Sequence, residues 1–304
     1  MNKKTFFSII VLGLCLAVIS FSTETMYAQE NASIKKSLKI PDSNHVQILT
    51  LKDGSNFIGR IVEIGKSEIK FKSDVGILTI SIDKINKIKE VPASSFKKGK
   101  YWFPNPNATR LYFAPTGRML KQGEGYFADY YIFFPMVAYG ITDNISIGGG
   151  MSLFPGVDIN KQIFYFTPKV GLKATENINF AAGALFANIP DIFDDDESQM
   201  AGILYGVGTY GTPDLSITAG FGYGFVGGDF AEKPMIMVGG EARLSRRISF
   251  VTENWVFPGV DNPLISYGIR LFGEKLSVDL ALINLIGEDF LFPGFPYIDF
   301  VYNF

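Results

Sequence analysis

The chain has 304 residues, 47% hydrophobic and 14% aromatic, with 28 basic side chains against 30 acidic ones and a net charge of -2. One cysteine, Cys15, excludes a disulfide framework, and one histidine, His45, leaves no histidine-based metal set and no Ser-His-Asp arrangement in the long C-terminal part. No internal stretch reaches the roughly 18 consecutive apolar residues of a membrane-crossing helix, so a helical membrane protein is not expected.

Residues 1–28 read as a secretory signal: Lys3 and Lys4 give a short basic region, an apolar run follows from Phe6 to about Phe21, and Ala28 before Gln29 is the expected cleavage point. Cys15 lies in the middle of the apolar run and is lost on processing, so the mature chain is expected to hold no thiol. From Asn31 to Lys100 there are 14 basic and 7 acidic residues; from Tyr101 to Phe304 there are 12 basic and 21 acidic. Charge asymmetry of this size points to two domains in different surroundings.

The first domain, about 43–91, reads as five short strands: His45–Leu51, Phe57–Ile64, Glu68–Lys72, Gly76–Ile82 and Ile85–Val91. Turn chemistry separates them at Lys52-Asp53-Gly54-Ser55, Gly65-Lys66-Ser67 and Asp74-Val75-Gly76. The stretch LKDGSNFIGRIVEIGKSEIKFKSDVGILTISIDKI resembles the small Sm/SH3-like barrels. RNA binding is not carried over, because a secreted domain meets no nucleic acid. Its basic face suits an acidic cell wall or an anionic lipid surface instead. Residues 92–106 are expected to form a linker, with Pro92, Ser94, Ser95 and Gly99, ending in the aromatic group Tyr101, Trp102 and Phe103, which suits a membrane interface.

From Asn107 to Phe304 two kinds of connection alternate. Tight turns are expected at Thr142-Asp143-Asn144, Thr175-Glu176-Asn177, Thr212-Pro213-Asp214, Ser245-Arg246-Arg247 and Gly273-Glu274-Lys275. Longer loops are expected near 117–125, 155–161, 189–199, 227–233, 257–262 and 286–293. This spacing predicts about twelve antiparallel strands, the first lying between Asn107 and the loop near 117–125, with both barrel ends on the tight-turn side.

The strands alternate. Leu215, Ile217, Ala219, Phe221, Tyr223 and Phe225 share one face, and Ser216, Thr218, Gly220, Gly222 and Gly224 the other. Ile265, Tyr267, Ile269 and Leu271 oppose Ser266, Gly268 and Arg270; Leu276, Val278, Leu280 and Leu282 oppose Ser277 and Asp279. Near the bilayer midplane a lipid-facing Lys or Arg costs about 2–4 kcal/mol. A one-residue slip would put Arg243 and Arg270 into lipid, together with Glu241 and Asp279, so register is well specified here. Pro135 and Pro168 are each expected to mark a bulge or bend. The register of Tyr126–Tyr139 is open, because both faces are aromatic.

Ile298, Phe300, Tyr302 and Phe304 form one face of the last strand. They read as the signal presented to the barrel assembly machinery. A soluble sandwich or lipocalin-like barrel would show the same alternation with its apolar rows inward. The expected signal, the aromatic terminus and the scarcity of Lys and Glu on the Gly/Ser rows favour a transmembrane β-barrel. The stretches NPNATR (105–110), QGEGY (122–126), YGITDNISIGGG (139–150), FTPKVGL (166–172) and FGYGFVGGDF (221–230) resemble a set of uncharacterised outer-membrane barrel proteins of Gram-negative bacteria. The resemblance implies a barrel in the outer membrane, with the first domain in the periplasm and lipid as its surroundings. It implies no activity.

Inward charges are expected from Lys169, Lys173, Glu241, Arg243, Glu253, Arg270, Asp279 and Asp299. They can tune the selectivity of a pore or form ion pairs that close the lumen. His45 is expected to be structural. The acidic loop Asp191, Asp194, Asp195, Asp196 and Glu197 lacks the ordered spacing of a calcium loop and reads as a solvated external loop. Neither cofactor nor catalytic residue is expected. The functional expectations are a narrow small-solute channel, or a structural protein tethering the membrane to the cell wall through the basic domain.

Overall fold

The computed structural model describes residue 34 and residues 37–97, 99–190, 198–287 and 293–304; residue 37 opens the first continuous stretch. The expected signal at 1–28, with Cys15, and the acidic loop 191–197 lie outside the described residues. The chain divides into two compact units, Met1–Trp102 and Phe103–Phe304.

The first unit is a five-stranded antiparallel sheet of β1 (His45–Leu51), β2 (Asn56–Ile64), β3 (Glu68–Ser73), β4 (Gly76–Ser81) and β5 (Ile85–Pro92), in the order β4-β3-β2-β1-β5. A 3-10 turn, Ile82–Lys84, joins β4 to β5. Alternation places Leu49, Ile61, Ile69, Phe71 and Ile80 in one core, closed by Ile82 and Ile85. In the β1–β2 turn the Asp53 carboxylate accepts the Ser55 N–H at 2.9 Å, which holds Asp53 below the usual carboxylate range. The expected linker is partly ordered. Ala93–Ser95 form a 3-10 turn, and β6 (Phe96–Lys97) pairs with β7 (Lys100–Tyr101).

The second unit is a closed antiparallel barrel. Its strands are β8 (Gly125–Tyr130), β9 (Phe134–Thr142), β10 (Ile145–Met151), β11 (Phe164–Phe166), β12 (Lys169–Lys173), β13 (Ile178–Pro190), β14 (Ser198–Thr212) and β15 (Leu215–Val226). After the short β16 (Asp229–Phe230), which extends the β15 hairpin, come β17 (Met235–Ser245), β18 (Ile248–Val256), β19 (Leu264–Phe272), β20 (Leu276–Leu285) and β21 (Phe295–Asn303). Each stave pairs with the next, and β21 pairs with β8 to close the ring. β11 and β12 are one stave, since both pair with β10 and β13, so the barrel has twelve staves. The break falls at Thr167-Pro168, the irregularity expected there. Pro135 makes none: it sits opposite Asp129 in a continuous β8–β9 ladder, one residue into the strand.

All five expected tight turns are present at one end. Both barrel termini lie at that end, where Phe304 and Gly125 exchange backbone hydrogen bonds and the Asn303 N–H reaches the Lys275 carbonyl. The expected first strand is absent. Residues 107–116 form no stave; only Arg110 and Pro115 make an isolated bridge. The stretch expected as one strand near Tyr126–Tyr139 is two instead, folded back at Tyr131 and Ile132, whose φ values are +53° and +69°. Two non-glycine residues in this region carry no turn signature, so sequence patterning misses the turn. The two differences cancel in the count.

The faces follow the expected register. Ile236, Val238, Leu244, Leu271, Leu276, Leu280 and Phe300 are exposed outside, whereas Arg270, Asp279 and Asp299 are 0% exposed inside. The apolar rows of neighbouring staves merge into a continuous outer surface far larger than a water-facing barrel tolerates. A soluble barrel with the rows reversed is therefore overturned. No described helix is long and apolar enough to cross a membrane; the strands make the crossing.

Candidate functional site: the lumen and its internal segment

The residues that precede the first stave run through the barrel interior. Asn105, Asn107, Arg110, Leu111, Tyr112, Ala114 and Thr116 are all buried, and all but Thr116 have partners on the inner faces of staves more than a hundred residues away. One wall glycine and one glycine of the segment allow the close approach. A Cβ on Gly239 would lie 2.6 Å from Leu111 Cδ1, and one on Gly117 would lie 2.2 Å from the Asn179 carbonyl oxygen. Neither contact is possible for a real side chain.

The wall from β17 to β21 holds the segment with charge. Arg270 forms a two-point bridge to Asp279, through Nε at 2.7 Å and a terminal nitrogen at 2.8 Å, and a third contact to Glu241 at 3.0 Å. Its remaining donor capacity reaches the segment, donating to the Leu111 carbonyl at 2.7 Å. Arg110 returns the interaction, meeting Asp299 at 2.8 Å and Asp279 at 3.5 Å. Glu241 accepts from the Asn105 amide at 2.6 Å.

Glu253 is the densest anchor. One oxygen accepts the backbone N–H groups of Tyr112, Phe113 and Ala114 at 2.8, 3.0 and 3.0 Å, and the other accepts the Trp255 indole N–H at 2.8 Å. Three successive amides aimed at one carboxylate oxygen form a small anion-binding concavity, here filled by the wall itself. Tyr112 adds a hydroxyl bond to the Val251 carbonyl at 2.8 Å. Nearer the tight turns, Thr209 Oγ1 accepts the Gly117 N–H at 2.8 Å, and Arg243 donates to the Phe103 carbonyl at 2.9 Å.

The opposite wall is apolar. Tyr126, Tyr130, Phe134, Met136, Tyr165, Leu185, Tyr205 and Met235 line a cavity of about 560 Å³ together with the segment's Arg110, Phe113 and Ala114. Lys169 also lines it and points at the segment, donating to the Arg118 carbonyl at 2.6 Å and the Thr109 carbonyl at 3.4 Å. The lumen is thus divided. Its charged half is occupied by the chain, and its aromatic half holds open space.

Among the expected lumen charges, Glu241, Glu253, Arg270, Asp279 and Asp299 converge on the segment, as does Lys169. Arg243 sits at the tight-turn rim, paired with Asp214 at 2.9 Å. Lys173 departs from expectation. It is largely exposed at the end of its stave and pairs with Glu176 at 2.8 Å, so it belongs to the rim rather than the interior. The expected inward charges thus gather mainly on one side of the lumen. Arg110 and the amides of 112–114 were missed, because a segment expected as a lipid-facing strand gave no reason to place them inside. The polar run Asn105, Asn107, Thr109, Arg110 was the available signal. Ile298, Phe300 and Tyr302 form the outward row of the last stave, continued by Phe304, as expected.

In the first unit, the single histidine has carboxylates as neighbours. His45 lies opposite Pro92 in the β1–β5 ladder, next to Glu90 and the preceding Asp42. One ligand atom from each of Asp42, His45 and Glu90 comes within 4.8 Å of the others, and His45 Nδ1 is buried without a hydrogen-bond partner. Counting histidines overlooked carboxylates that only strand pairing brings near. Lys39 bridges Glu90 at 3.0 Å and competes for the same carboxylate.

The fold and the lumen define a lipid-facing, closed twelve-stave barrel with an internal segment. No protein-family profile matches the chain, and no curated protein sequence matches it. Solved structures similar to it include the KdgM porin in complex with disordered oligogalacturonate, with a TM-score of 0.40 and 7% identity over 59% of this chain and 95% of that one. The NanC porin has a TM-score of 0.36 and 8% identity over 59% and 97%. The outer-membrane protein OmpT of Vibrio cholerae has a TM-score of 0.33 and 12% identity over 88% and 100%.

Proposed function

We propose that this protein resides in the outer membrane as a barrel occluded by its own chain, with the basic first unit in the periplasm, and that it passes small solutes only when the internal segment moves. The carrying observation is the seating of Asn105–Arg118 on Glu241, Glu253, Arg270 and Asp299. With its charged half filled, the bore is narrowed to the aromatic half, and the narrow channel expected from sequence becomes one gated by the segment. The row Ile298, Phe300, Tyr302 and Phe304 would engage the assembly machinery. The order β4-β3-β2-β1-β5 with a 3-10 turn before β5 supports an Sm/SH3-like reading of the first unit. We assign no catalytic role.

Single-protein conductance in a planar bilayer tests this reading. The full chain should be nearly silent, and Glu253→Ala, which unseats the segment, should conduct. Steady conductance from the unsubstituted chain would refute the occlusion, and silence from both would remove the channel. A second reading, favoured by the excess positive charge of the first unit, is a tether to the cell wall. Deleting 31–100 should then abolish co-sedimentation with isolated wall while leaving insertion intact.

A further inference from the structure

The cavity on the aromatic side of the lumen has an unusual charge pattern. Its lining is largely apolar and aromatic, with hydroxyls from Thr109, Ser146, Thr167 and several tyrosines; it carries Lys169 and Arg110 and contains no Asp or Glu among the described residues. Arg110 is balanced by Asp299 and Asp279. Lys169 has no such balance: its ammonium is buried and its hydrogen bonds go to two backbone carbonyls. A buried ammonium without a counter-ion is strongly unfavourable and either gives up its proton or gains an anion, and a bound anion keeps it charged. Beside it, the Arg110 Nε–H is buried and unpartnered in a side chain that is 3% exposed. Lys169 and Arg110 thus both line a space walled by Tyr165, Leu185, Tyr205 and Met235, with Lys169 the cation left without a carboxylate.

We propose that this cavity binds a single-chain amphiphile with one anionic head, specifically a long-chain carboxylate. The carboxylate lies against Lys169 at the segment, and the chain runs along the aromatic wall. The volume falls within the range of small-molecule sites, which combine apolar walls with a few placed polar groups. A neutral solute would leave Lys169 uncompensated, and a multiply charged one would have to desolvate against Leu185 and Met235. The proposal rests on the seated segment and not on any conductance, so its failure and the failure of the channel reading are distinguishable.

The chain provides its own reporter. Of its two tryptophans, Trp255 lines the cavity, so Trp102→Phe leaves it as the only fluorophore of its kind. The full-length Trp102→Phe protein in non-ionic detergent is titrated with 9,10-dibromostearate and, separately, with its methyl ester. Quenching by the acid should saturate and be relieved by unlabelled stearate. The ester should bind about tenfold more weakly, the worth of one charge-assisted hydrogen bond. Lys169→Met should bring the two affinities together. Equal affinities in the protein retaining Lys169 would overturn the proposal even if the Lys169 variant fails to fold. So would quenching that rises linearly without saturation, or displacement by lysophosphatidate but not by stearate.

Discussion

Glu253→Ala tests the central arrangement directly. In the native lumen this carboxylate accepts four hydrogen bonds: three from the amides of Tyr112, Phe113 and Ala114, and one from Trp255. Alanine leaves four donors facing an apolar methyl group. A buried donor left unsatisfied costs about 1–3 kcal/mol. The full sum is not realised, because the segment can shift toward the cavity and hydrate part of its backbone. A net loss of about 4 kcal/mol in seating the segment follows, or roughly a thousandfold in the seated-to-displaced ratio. Glu253→Gln keeps one oxygen and should lose about half as much.

The assay uses a single introduced cysteine. Cys15 lies in the expected signal, whose removal would leave no native thiol, and Ala114→Cys introduces one thiol at a position that is 1% exposed. Maleimide labelling of the folded protein should be slow with Glu253 present and at least about a hundredfold faster with Glu253→Ala. Equal labelling rates in the two backgrounds would refute the claim that Glu253 holds the segment.

Other substitutions probe the remaining elements. Arg270→Met leaves Asp279 and Glu241 buried without their shared cation and should destabilise the barrel by about 3–5 kcal/mol in urea unfolding, with Arg270→Met/Asp279→Asn partly restoring it. Leu280→Arg places a cation on the outer face and should cost about 2–4 kcal/mol in lipid vesicles, while the same change at Lys169, an inward position, should cost far less. In the first unit, Phe71→Ala removes a fully buried ring and should cost that unit about 3–5 kcal/mol by calorimetry, leaving unfolding of the barrel unchanged.

Much of the architecture was legible in the residues. The five strands of the first unit begin and end within a residue of expectation, because Gly54 and Gly76 punctuate short alternating runs. The same period-two rule identified which face of β15, β17, β19 and β20 meets lipid. A slipped register would bury charge in hydrocarbon, so few alternatives compete. The stretch 107–139 was misread because its signals are weak. Tyr131 and Ile132 turn without glycine, and the polar run before them alternates well enough to pass for a strand.

The sequence by itself determined the barrel, its register and its lipid-facing rows, since each depends on neighbours two residues apart. Only the tertiary structure decided that residues 105–118 lie inside, that Arg110 joins Arg270, Asp279 and Asp299 in one cluster, and that Lys169 faces an apolar space without a carboxylate. Those facts depend on partners such as Tyr112 and Glu253, 141 positions apart. Local periodicity carries no information about which distant side chain will supply a buried group's missing hydrogen bond or charge.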